Sequence, residues 1–264
     1  NVEDLEHNII REALKLLNIR KGVEIYYMAD IPLGSAGIGL GSSSGLAVGV
    51  LNALYAFKGQ HVSAERLAQD AYKIEHEILK HPVGKQDQYM TAYGGFNFLC
   101  FNRDESVFVD PIICGKETKE KLNKKLLLFY TGITRVSSDI LAEQQKGTRD
   151  KMDFLNKMVG LTKDLAHSLS RNDLTRFGEI LHEGWMYKKE LASGVSNFAI
   201  DGYYEKARRA GALGGKVLGA GGGGFLVLYC EEEHHDNVRK SLADLKECDF
   251  SFEPQGSKII YVSD

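Results

Sequence analysis

The sequence predicts an α+β protein, and three observations carry that expectation. Strand-like and helix-like stretches mix along the chain without the strict alternation of a parallel βαβ sheet. A strand-like run, Val23 to Met28, leads into a glycine- and serine-rich loop, and a run of good helix formers, Leu46 to Tyr55, leads out of it. A second glycine-dense stretch lies between two strand-like runs near the end. The 264 residues are enough for one large or two moderate domains. A seam near Leu122 divides them into 1–122 and 123–264.

In order, the chain opens on an amphipathic helix over about 3–18, whose apolar stripe is Ile9, Ile10, Ala13, Leu16 and Leu17. A strand (23–29), a loop (30–43) and two helices (44–57 and 63–80) follow. After a loop over 81–92, Phe96 to Phe101 and Ser106 to Val109 read as a hairpin around Asn102-Arg103-Asp104-Glu105. Leu126 to Tyr130 is a further strand, ending at Thr131-Gly132. Helical stretches cover about 136–169, 173–192 and 197–210. Lys216 to Ala220 and Phe225 to Cys230 then read as strands flanking four glycines. A helix (234–245) and a strand (258–262) close the chain.

Composition excludes several classes. Apolar residues make up 43% and charged ones 26%, with a net charge of −3, which offers no dedicated nucleic-acid surface. The densest basic stretch, Lys116 to Lys125, is interrupted by Glu117 and Glu120 and reads as a solvated turn. Four cysteines show neither CxxC nor zinc spacing, which fits a reducing compartment. No apolar run approaches the roughly 18 residues of a membrane span, and no signal peptide is visible. These features point to a cytoplasmic protein with neither nucleic acid nor membrane as partner.

The loop before the second helix carries the first chemistry. It reads Pro32, then Gly37-Ile38-Gly39-Leu40-Gly41-Ser42-Ser43-Ser44. Unpaired N–H groups at a helix N-terminus carry partial positive charge and attract phosphate. Glycines let that backbone come close, and serine hydroxyls bond phosphate oxygens or Mg2+. The Walker pattern fails, because no lysine follows a glycine here. The dinucleotide pattern is met only loosely, since position 44 is Ser and only Gly45 follows; another helix comes next, not a strand ending in a ribose-binding acid. A bare strand–helix turn without ligand is the remaining alternative.

Two carboxylates form the second feature. Ser63 is placed to cap a helix whose buried stripe is Leu67, Ala71, Ile74 and Ile78, with Glu75 at the stripe's margin. Pro82 ends that helix, Gly84 frees the backbone, and Asp87 follows at once. A helix carboxylate and a loop carboxylate so spaced could converge beside the glycine loop. Phosphoryl transfer needs such groups: Mg2+ takes hard oxygen ligands, and an acceptor hydroxyl needs a positioned carboxylate. An exposed helix acid and a loop-capping aspartate are the plainer alternatives. The third feature, Lys216-Val217-Leu218-Gly219-Ala220-Gly221-Gly222-Gly223-Gly224, is a turn poor in side chains that admits another backbone or a ligand.

Taken in order, these stretches resemble the three motifs of the GHMP small-molecule kinases. Gly39-Leu40-Gly41-Ser42-Ser43-Ser44 is similar to the family's phosphate loop; Glu75-His76 with Pro82-x-Gly84-x-x-Asp87-Gln88 is similar to its second motif, and the Lys216–Gly224 stretch to its third. The resemblance implies an N-terminal domain like the second domain of ribosomal protein S5 and a ferredoxin-like C-terminal domain. It implies ATP as donor, held by Gly37, Gly39, Leu40, Gly41, Ser42, Ser43 and Ser44. It also implies Mg2+ on Ser43 and Glu75, and Asp87 as catalytic base. The turn at Gly221 and Gly222 would line the acceptor side.

Finer features, Gly84-Lys85-Gln86-Asp87-Gln88-Tyr89 and Tyr130-Thr131-Gly132-Ile133-Thr134-Arg135, resemble the D-glycero-D-manno-heptose 7-phosphate kinases within that family. The implied reaction phosphorylates the anomeric hydroxyl of that heptose phosphate to give the 1,7-bisphosphate. Arg135, and after it Thr134 and Lys85, are candidates for the acceptor's phosphate. A fucokinase-like or other neutral-sugar 1-kinase, a non-catalytic sugar sensor and a dinucleotide oxidoreductase are the alternatives. The expected partner is thus a small sugar or sugar phosphate, and the expected state a monomer or homodimer. The family opens with a strand pair carrying a sugar-holding motif that does not precede Asn1; roughly sixty further N-terminal residues are therefore expected in the complete protein.

Overall fold

A computed structural model describes residues 1–29, 39–134 and 137–262. Gly37 and Arg135, both expected in the site, lie outside the described residues. Contacts divide the chain into two units. Of the described residues, the first holds 1–29, 41–111 and 253–262; the second holds 39–40 and 112–252. The chain belongs to the α+β class; among the described residues each unit holds one sheet.

The first unit is built around a helix that is apolar on nearly every side. Helix α1 (Asn8–Leu16) buries Ile9, Ala13 and Leu14, and its end is closed by Asn18 in the left-handed region, with Ile19 N–H donating to the Leu14 carbonyl at 2.9 Å. Helix α2 (Ser42–Phe57) buries Leu46, Ala47, Val48, Val50, Leu51, Leu54 and Tyr55, as a helix enclosed by others must. Helices α3 (Ala64–Tyr72) and α4 (Gln86–Tyr93) pack against it and each other. Ser63 caps α3 by accepting from Arg66 N–H at 3.2 Å. Strands β1 (Asn97–Phe101) and β2 (Val107–Pro111) form the expected antiparallel hairpin.

Four expectations for this unit are corrected. The loop foreseen over 81–92 holds helix α4 (Gln86–Tyr93). The helix foreseen over 63–80 is α-helical only to Tyr72; Lys73–Ile78 is a π-helix, with Leu79 N–H bonding the Ile74 carbonyl five residues back. Residues 23–29 are extended, but among the described residues they have no ladder partner, so no strand forms. Val23 and Ile25 pack on the core while Tyr26 and Met28 are exposed, so the alternation is real and the pairing is not. Residues 258–262 likewise form no strand. The segment before them is tied to the unit instead, by Gly95 N–H on the Glu253 carbonyl (2.9 Å) and Ser257 N–H on the Thr91 carbonyl (3.0 Å).

The second unit is an antiparallel sheet in the order β4-β5-β3-β6 with helices packed on it. After α5 (Lys116–Lys125) come β3 (Leu126–Tyr130), α6 (Ser137–Gly147), α7 (Met152–Ser170), α8 (Leu174–Lys189) and α9 (Phe198–Arg209). Strands β4 (Ala212–Val217) and β5 (Phe225–Cys230), helix α10 (His235–Ser241) and the short β6 (Lys246–Glu247) follow. Strand β4 starts four residues before the expected Lys216, because its glycines pack rather than turn. A Cβ at Gly214 would lie 2.0 Å from the Gly178 carbonyl oxygen of α8, and one at Gly215 would lie 2.3 Å from the Val227 oxygen of β5. Helix α8 therefore rests directly on the β4 backbone, over a core of Trp185, Tyr204, Leu226 and Leu228. Among the described residues no helix is long and apolar enough to cross a membrane.

Gly214→Ala is expected to cost about 1–3 kcal/mol or more, because α8 must move off the strand. Gly202→Ala, on a helix face where an added Cβ meets nothing, is expected to gain about 1 kcal/mol. Urea denaturation of both variants checks the pair.

Candidate active site

In the first unit, α2 begins where the glycine loop ends. Gly41 is its N-cap with φ 66°, a left-handed conformation that glycine adopts without strain. Gly45 N–H takes the Gly41 carbonyl at 2.8 Å as the first bond of the helix. Ser42, Ser43 and Ser44 thus form the first turn, where N–H groups have no partner within the helix. Ser42 and Ser43 are exposed and Ser44 is buried.

Glu75 meets this turn. Its side chain is 1% exposed, and the carboxylate accepts from three neighbours. Ser43 Oγ donates to Oε1; Ser44 Oγ donates to Oε2 at 2.8 Å and Gln88 Nε2 to the same oxygen at 2.7 Å. The π-turn contributes by advancing Glu75 relative to the α-helical register of α3. His81 N–H on the Glu75 carbonyl (2.9 Å) and the His76 ring on the His81 carbonyl (3.1 Å) fasten the chain as it leaves.

Asp87 lies in the first turn of α4, exposed, and approaches the glycine loop: a Cβ on Gly41 would be 3.5 Å from its carboxylate. Helix α4 is held to α3 by Tyr89 and Tyr93, whose hydroxyls donate to the two oxygens of Glu65 at 2.8 and 3.1 Å. Burial and that bond to Glu65 both push the Tyr89 phenol pKa upward. Thus Gly41, Ser43, Ser44, Glu75 and Asp87 come together in one unit.

Lys85 is placed differently. Its ammonium, only 15% exposed, donates to the carbonyl and the carboxylate of Glu105, each at 2.6 Å, and lies 5.3 Å from the centre of the Tyr72 ring. The bond to Lys85 holds the Glu105 carboxyl below the usual range. Lys85 therefore pins the β1–β2 turn to the loop that precedes α4.

In the second unit the glycine turn packs against Gly39. Gly39 has φ +84°, a Cβ there would be 2.4 Å from the Leu218 carbonyl oxygen, and one on Gly219 would be 2.6 Å from Gly39 Cα. Gly221 and Gly222 are buried: the first abuts Val195, and the second donates its N–H to the Val195 carbonyl at 2.6 Å. Asn197 Nδ2 reaches the Gly222 carbonyl at 3.2 Å. Gly224 N–H bonds the Ile133 carbonyl at 2.8 Å, so Thr134, which is exposed, begins beside the turn. Burial lowers the pKa of the Lys216 ammonium on β4.

Two residues escaped the sequence reading. Gln88 had a signal, its place beside Asp87, but nothing marked its amide as a partner of Glu75. Lys188 donates to the Gly219 carbonyl; a lysine beside another in the last turn of a helix carries no local mark. As a donor set, the Glu75 carboxylate and the Ser43 hydroxyl fit a hard cation such as Mg2+; the Gln88 carbonyl oxygen behind them is buried and has no hydrogen-bond partner among the described residues. Among the described residues no cluster of three His, Cys, Asp or Glu suggests a softer metal.

Comparison with known proteins adds family information. Residues 8–95 match the GHMP kinases N terminal domain, and residues 165–247 match the GHMP kinases C terminal. The chain is 34% identical to the D-glycero-alpha-D-manno-heptose 7-phosphate kinase of Campylobacter jejuni, over 89% of this chain and 69% of that protein. It is 30% identical to the L-fucokinase/L-fucose-1-P guanylyltransferase of Bacteroides fragilis, over 87% of this chain but 24% of that one. The crystal structure of a D-glycero-D-manno-heptose 1-phosphate kinase from Bacteroides thetaiotaomicron superposes with a TM-score of 0.75 at 26% identity, covering 98% of this chain and 76% of that one.

The bonds around Glu75 set a stability expectation. Ser44→Ala leaves a buried carboxylate one donor short and is expected to cost about 1.5–3 kcal/mol. Ser42→Ala, on the exposed side of the same turn, is expected to stay within about 0.5 kcal/mol. Chemical denaturation of both variants compares them.

Proposed function

This chain belongs to the GHMP kinase family, and from that premise we propose that it transfers the γ-phosphoryl group of ATP to the anomeric hydroxyl of a sugar phosphate. The acceptor we favour is D-glycero-D-manno-heptose 7-phosphate, and the product is then the 1,7-bisphosphate. The convergence of Ser43, Glu75 and Asp87 on the first turn of α2 is the observation that carries the reading.

In this reading, Gly37, Gly39, Leu40, Gly41, Ser42, Ser43 and Ser44 form the run that holds the triphosphate. Its backbone N–H groups at the start of α2 face the anion. Ser43 and Glu75 would hold Mg2+, which when bound offsets charge on the β- and γ-phosphate oxygens. Asp87 accepts the proton of the acceptor hydroxyl as that oxygen bonds to the γ-phosphorus. The bond from the γ-phosphorus to the β–γ bridging oxygen breaks, and ADP leaves with the electron pair. Lys85, already paired with Glu105, anchors the neighbouring hairpin rather than the acceptor. Arg135 and Thr134 are proposed to receive the acceptor's phosphate, and the turn at Gly221 and Gly222 shapes that side. Lys188, on the Gly219 carbonyl, adds a cation beside the turn.

Support for the acceptor comes from two heptose kinases among the similar proteins, one named for a 7-phosphate and one for a 1-phosphate. A neutral acceptor is the second reading, favoured by the fucokinase relative.

A coupled ADP-release assay with Mg-ATP separates these readings, using heptose 7-phosphate, L-fucose, galactose and mannose as acceptors. Turnover is expected on the heptose phosphate alone; turnover only on a neutral sugar would discard the phosphate-site role of Arg135. In the same assay Asp87→Asn is expected to lower kcat by about 10²–10⁴-fold. ATP affinity, measured by calorimetry, should be unchanged, and equal loss of both would contradict the role of Asp87 as base.

A further inference from the structure

Gln88 is fully buried at the site, yet phosphoryl transfer as described gives it no task. It follows Asp87 in the first turn of α4, on the buried side, where Asp87 is exposed. Its amide is anchored at one end: Nε2 donates at 2.7 Å to the Glu75 oxygen that also accepts from Ser44. That bond fixes the plane of the amide and assigns its nitrogen, because a carboxylate accepts and does not donate. The other end, Oε1, is buried and has no hydrogen-bond partner among the described residues. An unmet buried acceptor is costly, and buried polar atoms are nearly always satisfied by protein, water or ion. The amide is thus committed through its nitrogen to the carboxylate proposed for Mg2+, and left open at its oxygen among the described residues.

We propose that Gln88 is a positioning residue of the phosphoryl-transfer site. Its N–H group orients the Glu75 carboxylate so that Oε1 stays with Ser43. Partners behind a metal ligand fix its orientation and alter affinity. Gln88 also couples the two acids. One residue from Asp87, it ties the start of α4 to the π-turn through Glu75, and Glu75 ties both to the start of α2. The proposal rests on the kinase reading given above.

The test uses the full chain with Mn2+ as a spectroscopic stand-in and a non-hydrolysable ATP analogue. Mn2+ binding to the protein–nucleotide complex is read by electron paramagnetic resonance, nucleotide binding without metal by calorimetry, and folding by thermal unfolding. Gln88→Met keeps the length and removes both polar atoms, and Gln88→Asn keeps the amide but draws it back by one methylene. Both variants are expected to weaken Mn2+ binding about tenfold to a hundredfold, with metal-free nucleotide affinity unchanged. In turnover, the Mg2+ concentration for half-maximal rate is expected to rise by a larger factor than kcat falls. Variants that lose thermal stability yet bind Mn2+ like the wild type would overturn the proposal and leave the kinase reading standing. A wild-type chain that binds neither nucleotide nor Mn2+ with it would overturn the kinase reading, and the proposal with it.

Discussion

A carboxylate taken out of water must be met by donors, and the burial of Glu75 is the constraint from which the first unit's site follows. An ionised group this deep is strongly disfavoured unless hydrogen bonds replace its lost hydration. Three side chains supply those bonds, from the first turn of α2 and the first turn of α4. Each donor fixes an element. Ser43 and Ser44 determine where the start of α2 lies relative to the π-turn, and Gln88 determines where α4 begins. Asp87 owes its approach to Gly41 to the same bonds, since it is the neighbour of Gln88 on a helix that Tyr89 and Tyr93 hold from the other side.

The second unit obeys a different constraint, the absence of side chains. Gly214 lets α8 and Gly215 lets β5 approach the β4 backbone, Gly178 leaves room for the Tyr229 ring, and Gly39, Gly219, Gly221 and Gly223 let loops touch. Any Cβ at these positions would fall well inside the distance at which real atoms pack. Hydrogen bonds then close the turn, from Gly222 to Val195 and from Gly224 to Ile133. The glycines that look like freedom in the sequence are therefore, in the folded chain, the condition for close packing. Their conformational cost is offset by contacts that no other residue permits.

This difference explains how much could be read in advance. Gly39-Leu40-Gly41-Ser42-Ser43-Ser44 announces a helix start because the chemistry is local: turn glycines, then small hydroxyls, then helix formers. Glu75 and Asp87 were legible as a pair because a proline and a glycine mark the bend between them. The π-turn was not legible, since the apolar spacing of Leu67, Ala71, Ile74 and Ile78 suits an α-helix and the extra residue is forced by contacts made elsewhere. The start of β4 was missed because glycine reads as a turn residue, whereas Gly214 and Gly215 are strand residues under a helix. Residues 23–29 and 258–262 have the alternation of strands, but strand formation requires a partner, and alternation does not provide one.

Donor and acceptor chemistry are thus encoded at different levels. In the proposed site, phosphate would be met by backbone N–H groups at one helix start, a need that a short run of glycines and serines satisfies in any context. On the same proposal the cation needs more, because its carboxylate has to be buried and aimed by residues far apart in the chain. Ser43 and Glu75 are separated by 32 positions and Glu75 and Gln88 by 13. The acceptor sugar needs most, since telling one polyol from another takes several side chains, each held to within a fraction of an ångström. Such side chains have no common spacing and leave no motif. A family-level likeness therefore transmits the donor half of a reaction more faithfully than the acceptor half: the proteins similar to this chain are named as heptose, fucose and mevalonate kinases.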